Sequence, residues 1–234
     1  CKGGGHGDYR LIVLAPASVQ EMHDFVALGF DLAFKYRNPA MILADGAIGQ
    51  MMEKVVLAPQ RPRKTNEEIA AECRDWATYG KPADRPRNVV TSLELQSEAM
   101  EKINLRLQAK YKAMEENEVR YEALACDDAD YVIVAFGSSA RICSATVEMA
   151  RAEGIRLGML RPITLYPFPT RPIAELAARV KGFLSVELNA GQMLEDVRLA
   201  LNGETKVELL SRLGSQMPTP EEIKEKLLSM REVL

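Results

Sequence analysis

GGGHGDYRLIVLAPASVQEMHDFVALGFDLAFKYRNPAMILADGAIGQ, residues 3–50, decides how the rest of the sequence is interpreted. It contains a glycine loop, an apolar strand, a polar loop, an amphipathic helix, a second apolar strand and a second glycine loop. This order predicts a single β-α-β unit, which cannot close a sheet or bury both of its own faces. We therefore expect the chain to be the C-terminal part of a larger subunit, with part of its chemistry lying upstream.

Composition excludes several classes of protein. The 234 residues are 47% hydrophobic and 27% charged, which is ordinary for a globular protein, and the net charge is −3. This charge provides no field that would gather nucleic acid or an anionic membrane, so neither is an expected partner. Apolar runs fall short of the roughly 18–20 residues that a membrane helix needs. The expected location is the cytoplasm.

The four cysteines and two histidines do not have the spacing of a metal site. No CxxC pair is present, so neither a zinc site nor an iron–sulfur cluster is predicted within the chain. The cysteines are expected to be reduced and mostly buried thiols. If the protein passes electrons through metal clusters, another chain should hold them.

Alternating strands and helices extend beyond the opening unit. We predict a strand over 11–18, a helix over about 19–37 and a strand over 40–45, and then a proline-rich connector and a long amphipathic helix over about 94–118. The following strands are predicted in YVIVAF (131–136), IRLGMLRPITLYPFP (155–169), GFLSVELN (182–189) and VELLSRLG (207–214), with helices between them and a final helix capped by Thr219. The pattern predicts a doubly wound α/β domain over 123–234.

The glycine loop GGGHGDY (3–9) is the first candidate ligand-contacting segment. Glycines allow close approach of a backbone to a ligand, so Gly5, His6 and Gly7 are candidates to line an active-site channel, with His6 or Asp8 near substrate. A plain flexible loop is the alternative.

Ser18 and Asp45 follow the first two predicted strands. Ligands of parallel α/β sheets lie beyond the carboxyl ends of the strands, so both residues are candidate cofactor-contacting or channel-lining positions. Ser18 could instead cap the next helix, with Glu21 three residues later completing a capping box. For Asp45 the alternative is a simple turn.

Two strand–loop–helix junctions lie in the C-terminal part. GSSAR (137–141) could bind an anion, such as that of a nucleotide or CoA, at a helix N-terminus, although tight packing is the favoured interpretation because the fingerprint spacings are absent. In VELNAGQ (186–192), Glu187, Asn189 and Gln192 could be subunit-interface contacts.

Taken together, several motifs resemble the α subunit of 2-oxoacid:ferredoxin oxidoreductases. They are GGGHGDYR, VLAPASVQEM, YRNPAMILADGAIGQMME, GSSAR, LRPITLYPFP and VELNAGQMLEDVR, in this order along nearly the whole chain. The segments WATYG (76–80) and NEVRYE (117–122) resemble the 2-oxoisovalerate type more than the 2-oxoglutarate type.

This resemblance implies a division into three parts. Residues 1–58 would be the second half of the domain that holds the aminopyrimidine ring of thiamine diphosphate. Residues 59–122 would be a connector with the long helix, and 123–234 a transketolase C-terminal-like domain that mainly supports assembly and self-association. The activating glutamate of the family would lie upstream, so no catalytic residue is assigned, and neither Glu21 nor Glu53 is expected to replace it.

The implied reaction is oxidative decarboxylation of 2-oxoisovalerate with CoA to an acyl-CoA and CO₂, with electrons passed to ferredoxin. A β subunit would share the thiamine diphosphate and its Mg²⁺. Iron–sulfur clusters would belong to partner subunits, among which γ and ferredoxin-like δ subunits are expected. Alone, the chain would be inactive. The alternatives are a 2-oxoglutarate or pyruvate enzyme, in which Arg10, Arg37 or Arg161 could pair with a second carboxylate, and a non-catalytic assembly module.

Overall fold

A computed structural model describes Gly3 and residues 7–78, 80–81 and 83–233, with the side chains of 231–233 left out. The chain divides into two compact units. One contains the residues up to Val56 together with 110–234, and the other is Leu57–Ala109.

Strands and helices alternate through most of the described chain. The strands are β1 (Ile12–Leu14), β2 (Ala40–Ile42), β3 (Tyr121–Leu124), β4 (Tyr131–Val134), β5 (Leu157–Pro162), β6 (Thr164–Tyr166), β7 (Gly182–Glu187) and β8 (Val207–Ser211). The helices are α1 (Val19–Tyr36), α2 (Gly46–Gln50), α3 (Asn66–Glu72), α4 (Ser97–Asn117), α5 (Gly137–Ala152), α6 (Thr170–Ala177), α7 (Gln192–Leu201) and α8 (Pro220–Val233).

The larger sheet is built by the C-terminal part of the chain. Among the described residues its strand order is β3-β5-β4-β7-β8, and all neighbours are parallel except β3, which pairs antiparallel with β5. Side chains of α5 and α8, including Val147 and Leu227, pack on one face. Side chains of α6 and α7, including Ile173 and Val197, pack on the other. The predicted α/β class, with helices on both faces, is confirmed.

The smaller sheet brings the opening β-α-β unit and the C-terminal part together. β1 pairs parallel with β2 on one side and antiparallel with β6 on the other. The main-chain hydrogen bond from Ala15 N–H to the oxygen of Ile163, at 2.7 Å, extends this contact beyond the end of β1. β6 was not predicted as a separate strand, so its pairing with β1 is a feature that only the structure shows.

Leu57–Ala109 contains a helix that the sequence analysis missed. α3 begins at a capping box in which the Thr65 hydroxyl accepts from Glu68 N–H and the Glu68 carboxylate accepts from Thr65 N–H. The T-x-x-E spacing of such a box is present in the printed sequence. The segment is therefore more than an irregular connector.

The described cysteines Cys73, Cys126 and Cys143 are free, and their predicted burial is confirmed. Burial raises the pKa of Cys143 far above its ordinary value. Within the described residues, no group of three or more His, Cys, Asp or Glu side chains is placed to hold a metal ion. The described helices include none that is long and apolar enough to cross a membrane.

Gly158 lies in β5, where a side chain would meet the backbone of the neighbouring segment. A Cβ there would lie 2.8 Å from the oxygen of Ala125 and 3.1 Å from the Cα of Cys126. We predict that Gly158→Ala lowers the free energy of unfolding by about 1–3 kcal/mol because the site is overpacked. Urea denaturation measures the change. The matched control is Gly49→Ala, whose Cβ would meet nothing within 4 Å; equal stabilities of the two variants would contradict the prediction.

Candidate functional site

The predicted channel-lining residues are only partly covered by the structure. Gly5 and His6 lie outside the described residues. Gly7 has φ +113°, a left-handed conformation that favours glycine. Ser18 and Asp45 lie where β1 and β2 end, in the two loops that follow these strands.

Ser18 is the N-cap of α1, as the structural alternative proposed. Its hydroxyl accepts from Glu21 N–H at 3.1 Å. The Glu21 carboxylate accepts from Ala17 N–H at 2.7 Å, one residue before the cap, so a complete capping box does not form. The loop backbone is thus held by a side chain from the first turn of its own helix.

Glu21 is held in turn by a buried arginine of β5. Arg161 donates from Nη2 to Glu21 Oε1 at 2.6 Å and from Nη1 to Oε2 at 2.8 Å, and its Nε donates to Glu122 at 2.9 Å. Only 4% of the Arg161 side chain is exposed. Burial lowers the pKa of Arg161, but the hydrogen bonds to Glu21 and Glu122 outweigh burial and keep that pKa above its ordinary value.

A second arginine reaches the same loop from α5. Arg141 donates from Nη1 to the oxygen of Ala17 at 3.1 Å and from Nη2 to Glu53 Oε1 at 2.7 Å. The other oxygen of Glu53 accepts from Val19 N–H at 2.9 Å. This backbone hydrogen bond, followed by the one from Arg141, lowers the pKa of Glu53.

Asp45 is the N-cap of the short helix α2 and also contacts the start of α5. Its Oδ1 accepts from Ala47 N–H and Ile48 N–H, both at 3.0 Å. Ser138 donates its hydroxyl to Oδ1 at 2.7 Å and its N–H to Oδ2 at 3.0 Å. Burial raises the pKa of Asp45, and the hydrogen bonds from Ile48 and Ser138 outweigh it, so the pKa is lowered.

The anion at the start of α5 is therefore the chain's own carboxylate. Gly137 has φ +60°, and a Cβ on it would lie 3.1 Å from Asp45 Oδ2. The glycine of GSSAR thus permits both the backbone conformation and the approach of Asp45. This agrees with the packing interpretation of GSSAR and not with an anion site for a nucleotide or CoA.

The loop after β7 also differs from the expectation. Glu187 is 1% exposed, and its carboxylate accepts from Met193 N–H and Leu194 N–H, both at 2.8 Å. Asn189 accepts from Gly191 N–H and Gln192 N–H. The prediction of Glu187 as an interface contact was wrong, because its carboxylate is buried and caps α7.

The loop between β1 and α1, residues 15–18, is called the held loop. A groove of about 280 Å³ is lined by the held loop, the first turn of α1, α5 and the strands β3 and β5. Its lining includes Ala17, Ser18, Glu21, Arg141, Ser144 and Arg161. Arg141 and Ser138 were not predicted as contacts of the loops that follow β1 and β2. The sequence feature that could have indicated the buried position of Arg161 is its place at the end of an apolar strand. Arg161 was predicted only as a possible partner for a second carboxylate of the substrate.

Two protein families match the chain. Residues 5–122 match "Pyruvate flavodoxin/ferredoxin oxidoreductase, thiamine diP-bdg", and residues 129–223 match "Pyruvate:ferredoxin oxidoreductase core domain II". The chain belongs to the 2-oxoacid:ferredoxin oxidoreductase family. The matches support the predicted resemblance to its α subunits.

Relatives within the 2-oxoacid:ferredoxin oxidoreductase family differ in the substrate named for them. The chain is 47% identical over 232 residues to the ketoisovalerate oxidoreductase subunit VorB of Methanothermobacter marburgensis, covering 99% of this chain and 63% of VorB. It is 34% identical to the 2-oxoglutarate synthase subunit KorA of the same organism, covering 97% of this chain and 66% of KorA. The chain therefore spans less than two thirds of the length of these relatives.

A solved member shares the fold. The 2-oxoglutarate:ferredoxin oxidoreductase from Magnetococcus marinus matches with a TM-score of 0.73 and 20% identity, over 97% of this chain and 43% of that chain. At this identity the likeness concerns the fold alone.

Asp45→Asn tests the link between α2 and α5. An asparagine has only one acceptor oxygen, and its amide NH₂ would take the place of the carboxylate oxygen that accepts from Ser138 N–H or of the one that accepts from Ala47 and Ile48. We therefore predict that Asp45→Asn lowers the free energy of unfolding by about 1–3 kcal/mol near pH 7. Because the folded-state pKa is lowered from 3.8, the carboxylate contributes above this value, and its contribution disappears as pH falls through the folded pKa. Urea unfolding at about pH 7 and about pH 3 should show the two proteins converging in acid; a constant difference would contradict this.

Proposed function

We propose that this chain forms part of the α subunit of a thiamine-diphosphate-dependent 2-oxoisovalerate:ferredoxin oxidoreductase. The reaction converts 2-oxoisovalerate and CoA to the acyl-CoA and CO₂, and the electron pair released passes to ferredoxin. The 47% identity to VorB over nearly the whole chain carries this proposal. The enzyme would be cytoplasmic, and this chain alone would be inactive.

The described residues fit one wall of a cofactor site. The loop after β1 has a fixed backbone, lines a groove and lies within the residues matched by the thiamine-diphosphate-binding family. When bound, thiamine diphosphate supplies the ring that takes up the electron pair left after CO₂ departs. Gly5, His6, Gly7, Ser18 and Asp45 remain our candidates for cofactor-contacting or channel-lining positions.

Glu21 and Glu53 do not match an activating glutamate. Glu21 forms a bidentate pair with Arg161, and Glu53 pairs with Arg141. We therefore assign the activating acid to residues outside this chain. The Mg²⁺ and the diphosphate would be bound with a β subunit, and the iron–sulfur clusters would lie in partner subunits, including γ and ferredoxin-like δ subunits.

The division into 1–58, 59–122 and 123–234 stays part of the proposal. In it, the first segment contributes to the aminopyrimidine site, the second connects, and the third supports assembly and self-association. The contact of Asp45 with Ser138 and the pairing of β1 with β6 support a close association of the first and third segments.

The contacts of Arg161 weigh against its pairing with a second carboxylate of a substrate. A second carboxylate, as in 2-oxoglutarate, needs a basic partner. Arg161, one of the three arginines considered for this role, is already bound to Glu21 and Glu122. The 2-oxoglutarate enzyme remains the second candidate because KorA is 34% identical.

Substrate-dependent reduction of a viologen dye by the complete enzyme tests the proposal. The full-length subunit would be copurified with its neighbouring subunits and assayed with 2-oxoisovalerate, 2-oxoglutarate and pyruvate, each with and without CoA. We predict CoA-dependent reduction that is fastest with 2-oxoisovalerate. Faster reduction with another acid would overturn the substrate assignment, and no reduction by a cofactor-loaded complex would favour a non-catalytic assembly module.

A further inference from the structure

We propose that Arg141 is a positioning residue for the thiamine-diphosphate site, acting through the peptide between Ala17 and Ser18, whose oxygen it binds. Arg161 supports the preceding peptide indirectly, by orienting the Glu21 carboxylate that accepts from Ala17 N–H. The inference rests on the proposed function and assigns the C-terminal part of the chain a role in the cofactor site in addition to assembly.

Both polar atoms of the Ala17 residue are held by charged side chains. Its N–H donates to Glu21 at 2.7 Å, and its oxygen accepts from Arg141 at 3.1 Å. Hydrogen bonds to ionised groups are shorter and stronger than those between neutral groups. The orientation of the loop at the carboxyl end of β1 is therefore set by two charges.

Each of these two charged groups is itself oriented by an ion pair. Arg161 holds both carboxylate oxygens of Glu21. Glu53 holds Arg141 with one oxygen and Val19 N–H with the other. The result is two sets of charged contacts that meet at the backbone of the loop, one through Ala17 N–H and the other through Ala17 O and Val19 N–H.

The two arginines contribute differently to stability. The Arg161 side chain is 4% exposed and that of Glu21 is 21% exposed. Removing Arg161 would leave the largely buried Glu21 carboxylate without its cation, which should lower the free energy of unfolding. The side chains of Arg141 and Glu53 are 38% and 29% exposed, and pairs of this kind add little to stability. A loss of activity in an Arg141 variant would therefore report a change in the position of the loop more than a loss of folding.

The held loop lies where such positioning would affect chemistry. It follows the carboxyl end of β1, the side on which α/β proteins bind their ligands. It also lies within the segment matched by the thiamine-diphosphate-binding family, whereas Arg141 lies within the segment matched by the core domain II family. A shift of about 1 Å in a positioning group can cost on the order of 100-fold in rate.

Arg141→Gln and Arg141→Lys in the complete enzyme test the inference. We predict that Arg141→Gln lowers kcat by about tenfold or more and raises the Kd for thiamine diphosphate. The KM for CoA should be unchanged, and so should the Tm of the cofactor-free enzyme. Arg141→Lys should restore the function only in part, because a single ammonium cannot reproduce the planar fork that reaches Ala17 and Glu53 together.

Amide hydrogen exchange gives a readout that does not depend on turnover. In the cofactor-free enzyme, peptides covering Ala17–Val19 should exchange faster in Arg141→Gln than in wild type. The matched control is Arg156→Gln, which removes an exposed ion pair with Asp130 beyond the other end of α5 and should behave as wild type in every assay.

Two results would overturn the inference. One is an unchanged Kd for thiamine diphosphate together with an unchanged kcat in Arg141→Gln, whether or not the loop exchanges faster. The other is unchanged exchange of the loop. Failure of the proposed function is distinguishable from these. A wild-type complex that binds thiamine diphosphate but reduces no dye with any 2-oxoacid would reject the reaction, and the cofactor affinity of Arg141→Gln would still decide the inference.

Discussion

The ion pair between Glu21 and Arg161 is the interaction on which the loop between β1 and α1 depends. Two charged groups taken out of water are costly unless their hydrogen bonds are satisfied, and here Glu21 accepts from Arg161 and Ala17 while Arg161 also reaches Glu122. The pair joins the first turn of α1 to the end of β5. Together with the pairing of β1 and β6, it makes the opening β-α-β unit part of the same compact unit as the C-terminal sheet.

The chain also binds the starts of α5 and α7 with its own carboxylates. Asp45 accepts from Ser138 N–H in α5, and Glu187 accepts from Met193 N–H and Leu194 N–H in α7. Helix N-termini attract anions because their N–H groups lack partners within the helix. With these N–H groups bound internally, the starts of α5 and α7 are occupied by carboxylates of the chain itself.

Local patterns were enough to predict most of the fold, and too local to predict the site. Apolar runs and caps located the β-α-β unit and the parallel strands, because burial and backbone conformation depend on neighbouring residues. β6 was missed because it shares an apolar, proline-rich run with β5, and only its pairing with β1 separates them. Arg141 and Ala17 are 124 residues apart, and Asp45 and Ser138 are 93 apart, distances at which no periodicity carries information.

The central question is whether the opening β-α-β unit and the C-terminal sheet unfold as one cooperative body. Amide hydrogen exchange tests this most directly when β1 and β4 are compared at increasing urea concentrations. The amides of Ile12 and Ala15 donate to neighbouring strands or loops, and β4 lies at the centre of the larger sheet. We predict that both sets exchange only through the same global opening, with protection lost together. Rapid exchange of β1 through its own opening, while β4 stays protected, would contradict the account.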